Sequence, residues 1–330
     1  MQRVLSYLGV GLIGAAAIFF SLPSVVSWEQ PAPPALTTIQ PFPVTVHPKD
    51  KTITESSVVN EQLTSAKPFL MAAVGGAGDL FASIAAALME TPWYESLAAA
   101  IPIGSSRVVV IDPGYRREQA AAAFGTTLGW SKEDQQTFLA STESTTLAEG
   151  EFLPGAYVVA PRTTPAQVRI LLRQRFDDDI IAHYPASVAA VVPLDDALTI
   201  ASMIERETSD KNDMRIVSGI IWNRLFTNMR LQLDATVQYA KADAREGKTG
   251  WWPSVRPRDL SLKSPYNTYV NEGLPPGPIA SPSIAAVLAA LNPKQTTCLF
   301  YFHDNAKTLH CSDTYGQHVA LLKKYFGRGK

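Results

Sequence analysis

The sequence predicts an α+β protein built from an N-terminal transmembrane helix, a small α/β module and a C-terminal module that mixes helices with short strands. Three observations carry that prediction. An uncharged apolar run fills Val4–Val26, strand and helix patterns alternate after Arg107, and helical periods give way to two short aromatic strands near the C-terminus. The divisions that follow are 1–28, 29–105, 106–192 and 193–330.

At about 1.5 Å per helical residue, the run at Val4–Val26 is long enough to cross a hydrocarbon core about 30 Å thick. Arg3 precedes it and the next basic residue is Lys49. The positive-inside rule therefore leaves the N-terminus in the cytoplasm and puts the rest of the chain outside, held by a single pass through the plasma membrane. A signal peptide cut near Ser24–Ser27 is the alternative, and it exports the same residues. Gly9, Gly11 and Gly14 spell G-x-G-x-x-G, but without a preceding strand they read as small residues of a membrane helix.

From residue 29 to about 66 the chain is rich in Pro, Thr and Ser, the composition of an extended spacer. Phe69–Met89 is apolar again, but Asp79 and the neighbouring Gly75, Gly76 and Gly78 favour a helix lying on protein or on the membrane surface over a second span. A second span would return the C-terminal half to the cytoplasm. Lys plus Arg number 29 against 30 Asp plus Glu, so there is no field to attract nucleic acid.

In the small module, "RVVVID" reads as a strand, Arg116–Gly129 as a helix, Ser131–Leu139 as a second helix and Gly155–Ala160 as another strand. Thr164 then caps a helix with Pro165 at its first position. In the C-terminal module, helices are expected at Leu194–Thr208, Arg215–Leu225 and Ile284–Leu291, the last stopped by Asn292-Pro293. "CLFYFH" and "TLHCS" form a hairpin around "DNAK".

On the Leu194–Thr208 helix, Glu205 and Glu207 fall on the apolar arc while Arg206 falls on the opposite, solvated side. Glu207 follows Met203 by four and Ile204 by three, so its carboxyl is partly desolvated and holds a proton near neutral pH, as a general acid must. The competing reading is that each Glu caps a helix or pairs with Arg206, Arg215 or Arg224.

Three blocks, "ASMIERETSDKNDMRIVSGIIWNRLFTNMRLQLDATVQYA", "SPYNTYVNEGLPPGPIASP" and "AALNPKQTTCLFYFHD", resemble in sequence and order the MltG/YceG-like family of endolytic peptidoglycan transglycosylases. The resemblance is strong over about residues 194 to 320 and weaker over 107 to 182. It implies a YceG-like catalytic module and a lyase that cuts the MurNAc-GlcNAc β-1,4 bond within nascent glycan strands, leaves 1,6-anhydro-MurNAc ends and so terminates strand elongation. The implied partners are the glycan strand, the membrane and the penicillin-binding synthases, and the chemistry calls for no cofactor and no metal. In "E-R-E-T" the catalytic glutamate corresponds to Glu207, with Glu205 its companion. Gln232 and Asp234 of "LQLDATV" and Tyr266, Asn267, Thr268 and Tyr269 of "YNTY" are expected to bind substrate, the alternative for the tyrosines being a packed aromatic turn. The prolines after "YNTY" would form a rigid wall holding it toward Glu207. A hydrolase would use a second carboxylate, for which Asp234 is the candidate. A non-catalytic peptidoglycan-binding scaffold is the rival from another class. The LysM-like unit common between anchor and catalytic module in this family is not evident in residues 29–105.

Cys298 and Cys311 fall on the two hairpin strands, where an exported pair reads as a disulfide. The sharper alternative adds His303, His310 and His318 to form a zinc site, although the spacing matches no usual structural pattern.

Overall fold

The computed structural model describes residues 40–56, 60, 106–140, 147–245, 247–248 and 250–327. The expected helices at Val4–Val26 and Phe69–Met89 lie outside them. Among the described residues, no helix is long and apolar enough to cross a membrane.

Chain order begins with a short antiparallel pair, β1 (Val46–His47) and β2 (Thr52–Ile53). These residues fall in the stretch expected as a spacer, yet residues 40–56 are folded. Phe42, Val46 and Ile53 are buried in the same core as the C-terminal helices. The segment is tied down by Thr45 N–H donating to the Leu291 carbonyl at 3.0 Å and by the Asn292 amide donating to the Pro43 carbonyl at 2.8 Å. Periodicity could not reveal this, because three anchoring side chains spread over twelve residues make no amphipathic pattern.

The small module follows as β3 (Arg107–Ile111), α1 (Arg117–Leu128), α2 (Lys132–Leu139), β4 (Gly155–Val159) and α3 (Pro165–Asp179). β3 and β4 pair antiparallel with Val109 opposite Tyr157. Strand alternation turns Val109, Ile111, Tyr157 and Val159 inward against Phe124, Phe138 and Phe152, and that cluster is the module's own core. α3 carries the Thr164 cap and N-terminal Pro165 expected of it. Its far end does not belong to this module: Phe176 and Ile180, with Tyr184, Val188 and Val192 beyond, join the C-terminal core.

That larger core is centred on α5 (Leu194–Glu207), which follows the short helix α4 (Ala186–Ala189) and is buried continuously from Ala197 to Ile204. Around α5 stand α6 (Lys211–Phe226), α7 (Asp234–Asp243) and α8 (Ile284–Leu291). α6 starts four residues before the apolar period does, because the Asp210 side chain accepts from Asn212 N–H and Asp213 N–H and fixes the first turn. Gly219 lets α6 come close to its neighbour: a Cβ there would lie 2.3 Å from the Lys294 carbonyl oxygen. The hairpin β5 (Phe300–His303) and β6 (Leu309–Ser312) and the helix α9 (Tyr315–Phe326) complete the chain.

Cys298 and Cys311 are joined in a disulfide. Cys298 sits two residues before β5 rather than on it, and the residue opposite Cys311 is Tyr301. The bond therefore closes the open end of the hairpin. It also removes both sulfurs from the zinc reading, and among the described residues no group of three His, Cys, Asp or Glu is placed to hold a metal. His310 instead bonds Asp304 at 2.8 Å within the hairpin turn.

The Pro-rich stretch does something other than wall the cleft. Ile279, Ala280 and Ser281 are fully buried, and Ile279 N–H donates to Ser202 Oγ on α5. Ser281 exchanges backbone bonds with Gly114 and Tyr115 of the small module at 2.9 and 2.7 Å. Pro278 packs on Gly150, whose φ of +91° and lack of a Cβ make room for it. The stretch is a strap between the two modules.

Candidate active site

Glu207 is the last residue of α5, and its carboxyl emerges at the base of an open cavity of about 360 Å³. Desolvation pushes the carboxyl above the ordinary glutamate range, and the negative charge of Asp234 adds to the rise. A hydrogen bond from the Tyr301 hydroxyl, the proximity of His303 and the charge of Arg206 pull the other way without cancelling it. The result is a carboxyl that gives up its proton less readily than an ordinary glutamate and still has a donor ready for its ionised form.

The partners come from β5. Tyr301 and His303 are two residues apart on the strand, so they share a face, and both act on Glu207. Burial and the neighbouring Glu207 hold the Tyr301 phenol well above its usual range, so it is a donor and stays one. His303 is steadied by Asp213 at 3.3 Å. Arg224, buried on α6, donates to the carbonyls of Leu299 and Leu231, locking the start of β5 to the "LQLD" turn. Its guanidinium lies 5.5 Å above the Phe300 ring.

The opposite wall is built from "LQLD" and the end of "YNTY". Gln232, with a left-handed φ of +50°, donates its backbone N–H to the Thr268 carbonyl at 3.1 Å. Leu233 N–H donates to Thr268 Oγ1 at 3.0 Å, and that hydroxyl pairs with Thr236 Oγ1 at 2.9 Å. Across the top, Tyr269 Oη donates to Asp234 Oδ1 at 2.7 Å. Gln232, Asp234 and Tyr269 line the cavity with Glu207, as expected.

The other four expected site residues are placed elsewhere. Glu205 accepts from Ser283 N–H at 2.8 Å and Ser283 Oγ at 2.6 Å, and so caps the N-terminus of α8, where a negative charge is favoured. Asn267 is fully buried; its amide donates to the carbonyls of Leu260 and Leu262, and its oxygen accepts from Tyr269 N–H. Thr268 is buried in the clip just described. Tyr266 packs on Tyr239 with ring centroids 4.7 Å apart. Of "YNTY", only Tyr269 faces the cavity, and the first three residues hold it there. Arg206 also departs from expectation: its guanidinium lies 3.8 Å above the Trp252 ring and against Gly114 of the small module, where a Cβ would come within 2.9 Å of it.

Sequence reasoning missed Tyr301 and the aromatic flank that Phe300 and Tyr315 form with His318 along the same cavity; it weighed Arg224 only as an ion-pair partner of a helix glutamate, and His303 and His318 only as zinc ligands. The available signal was the strand period of "FYFH", which puts Tyr301 and His303 on one face once the strand is assigned.

Fold and site together define an α+β protein with an open cleft lined by a buried glutamate whose carboxyl is raised by desolvation, and by a second carboxylate, Asp234. The model of the YceG-like family matches residues 83–324, and the chain belongs to that family. Among curated proteins it is similar to an endolytic murein transglycosylase of Bacillus subtilis, 37% identical over 128 residues covering 39% of this chain and 34% of the relative. A protein of the same description from Streptococcus pneumoniae is 30% identical over 159 residues, covering 47% of this chain and 28% of that one. The chain thus spans a minor part of the length of these relatives. A crystal structure of a YceG-like protein from Listeria monocytogenes superposes with a TM-score of 0.55 at 26% identity, covering 66% of this chain and 75% of that one.

Proposed function

We propose that this chain is an endolytic lytic transglycosylase that cleaves the MurNAc-GlcNAc β-1,4 bond in peptidoglycan strands, with Glu207 as its one catalytic acid and base. The observation that carries the reading is the Glu207 carboxyl, raised above the ordinary glutamate range by desolvation where it lines an open groove, with the Tyr301 hydroxyl donating to it. Glu207 gives its proton to the glycosidic oxygen as the C1–O bond breaks. As carboxylate, it then takes the proton of the same sugar's C6 hydroxyl while O6 closes on C1, so the products are a 1,6-anhydro-MurNAc end and a free GlcNAc hydroxyl. No water is consumed. The Tyr301 hydroxyl donates to the carboxylate that exists between the two transfers.

In this reading the N-terminal residues anchor the enzyme in the plasma membrane with its body outside, where it would meet nascent strands beside their synthases and end their growth. The β3–α1–α2–β4 unit, two antiparallel strands with two helices between them in sequence, is read as the LysM-like unit, placed after residue 105 rather than before it.

A muramidase reading draws on Asp234, a second carboxylate on the same cavity, although its Oδ1 already accepts from Tyr269. Mass spectrometry of digested glycan separates the two: anhydro ends support the lyase, and reducing ends carrying oxygen from labelled water support the hydrolase. Glu207→Gln is expected to lower turnover by about 10²–10⁴-fold, the usual contribution of a positioned general acid. Unchanged turnover in that variant would remove Glu207 as the acid, and a wild-type chain that binds strands without cutting them would leave only a glycan-binding scaffold.

A further inference from the structure

We infer that Tyr315 is a stacking platform for a sugar ring of the strand, one or more units from the bond that Glu207 cleaves. The inference rests on the glycan-cleaving reading above and adds a subsite to it. Tyr315 is the first residue of α9 and remains 65% exposed, yet it lines the cavity that holds Glu207. A single exposed aromatic on a protein surface is ordinary, whereas one that forms the flank of a catalytic groove offers an apolar face to whatever fills it.

Its surroundings fix the ring without covering it. Phe300 lies 5.8 Å from it and His318 6.4 Å, and the Arg224 guanidinium sits 5.5 Å from the Phe300 ring. An aromatic flank therefore runs from the buried cation near Glu207 out to the open end at Tyr315. Next to it, Gly316 has nothing within 4 Å of where a Cβ would stand, so the approach is clear.

The backbone under Tyr315 is set by bonds independent of any ligand. Thr314 and Gln317 cap α9 reciprocally, and Asp313, which donates its backbone N–H to Gln317, accepts from Thr297 Oγ1 at 2.9 Å. The disulfide pins the same end of the hairpin. A pyranose ring carries axial C–H groups on one face, and a rigid, exposed phenol ring presents the matching surface with little entropy left to lose.

The test is binding of peptide-free GlcNAc-MurNAc strands to the full chain carrying Glu207→Gln, which cannot consume them. Adding Tyr315→Ala should raise Kd about five- to tenfold, and Tyr315→Trp should restore it. In the active chain the same alanine should act on KM rather than kcat. Unchanged Kd in a folded Tyr315→Ala protein, or failure of Tyr315→Trp to restore binding, overturns the platform. If the parent chain binds no strand at all, the platform and the reading beneath it fall together. If it binds through Tyr315 yet wild type cuts nothing, only the catalytic reading falls.

Discussion

Glu205 and Glu207 stand two residues apart on one helix and have unlike surroundings. Glu205 meets a helix N-terminus and a hydroxyl, both of which favour its charge, and it becomes a cap. Glu207 meets a desolvated pocket and the negative Asp234, both of which oppose its charge, and its carboxyl is pushed above the ordinary glutamate range. The features weighed from the helix wheel thus fall to different residues, the cap to Glu205 and the desolvated carboxyl to Glu207. The acid must be protonated to start the reaction, so activity should fall as pH rises through the Glu207 pKa, which lies above the usual glutamate value. Tyr301 works against that elevation by donating to the carboxylate. Tyr301→Phe should consequently move the alkaline limb of the kcat/KM profile to higher pH. It should also lower kcat by roughly tenfold or more, since hydrogen bonds to charged groups contribute about 1.5–3 kcal/mol. A pH-rate profile of the two proteins checks this, and a limb that stays put or moves to lower pH would remove Tyr301 from the site. His303 and Arg206, which also lower the Glu207 pKa, are present in both proteins and cannot produce the difference.

At the scale of elements, the loop "YNTY" acts through its backbone more than its side chains. Asn267 satisfies two carbonyls and one N–H inside the turn, so Asn267→Ala leaves several buried polar groups unpaired, at about 1–3 kcal/mol each. The expected result is a marked fall in Tm, with kcat lost only as far as Tyr269 is displaced. A variant with native Tm and a raised KM would instead return Asn267 to the sugar. This explains what could be read in the sequence and what could not. The long helices were legible because capping residues and apolar periods agree, as at Thr164-Pro165 and at Ile284–Leu291. α7 was missed because it starts from a turn held by Thr268, 35 residues away in sequence, and not by a local cap. The acid was legible from its helix face. Its tyrosine partner was not, because the contact spans 94 positions between Glu207 and Tyr301, and no local pattern records such a pairing.

Across the whole molecule, two separate apolar cores are joined by a seam that is largely polar. Arg116 is buried there, over the Tyr239 ring at 4.0 Å and the Trp251 ring at 4.8 Å, and it donates to the Tyr239 carbonyl. Beside it, Glu149 accepts from Arg117 N–H at 3.0 Å through one oxygen, while the other, Oε2, is buried without a partner. Burial, with the charge of Glu118 added, pushes the Glu149 carboxyl up to about 8, against the opposing charges of Arg116 and Arg117. A carboxyl whose folded pKa exceeds its unfolded value binds its proton more tightly when folded. Its stabilising effect is therefore complete below the unfolded value near 4.5 and is lost as pH rises from there through about 8. Glu149→Gln keeps an acceptor for Arg117 N–H and never ionises. The variant should match wild type in thermal stability at about pH 4 and exceed it increasingly up to about pH 8, beyond which the difference stays constant. Melting curves across that range are the measurement, and parallel curves at all pH values would mean that Glu149 ionises as freely in the fold as out of it. The location makes the effect larger than one carboxyl's affair. The same seam holds the small module against the strap at Pro278–Ser281, and the strap holds α5 through Ser202, on the helix that ends in Glu207. Loosening at the seam at high pH should therefore appear first as hydrogen exchange at Gly114 and Ser281, whose amides bond across it, before the core amides of α5 exchange.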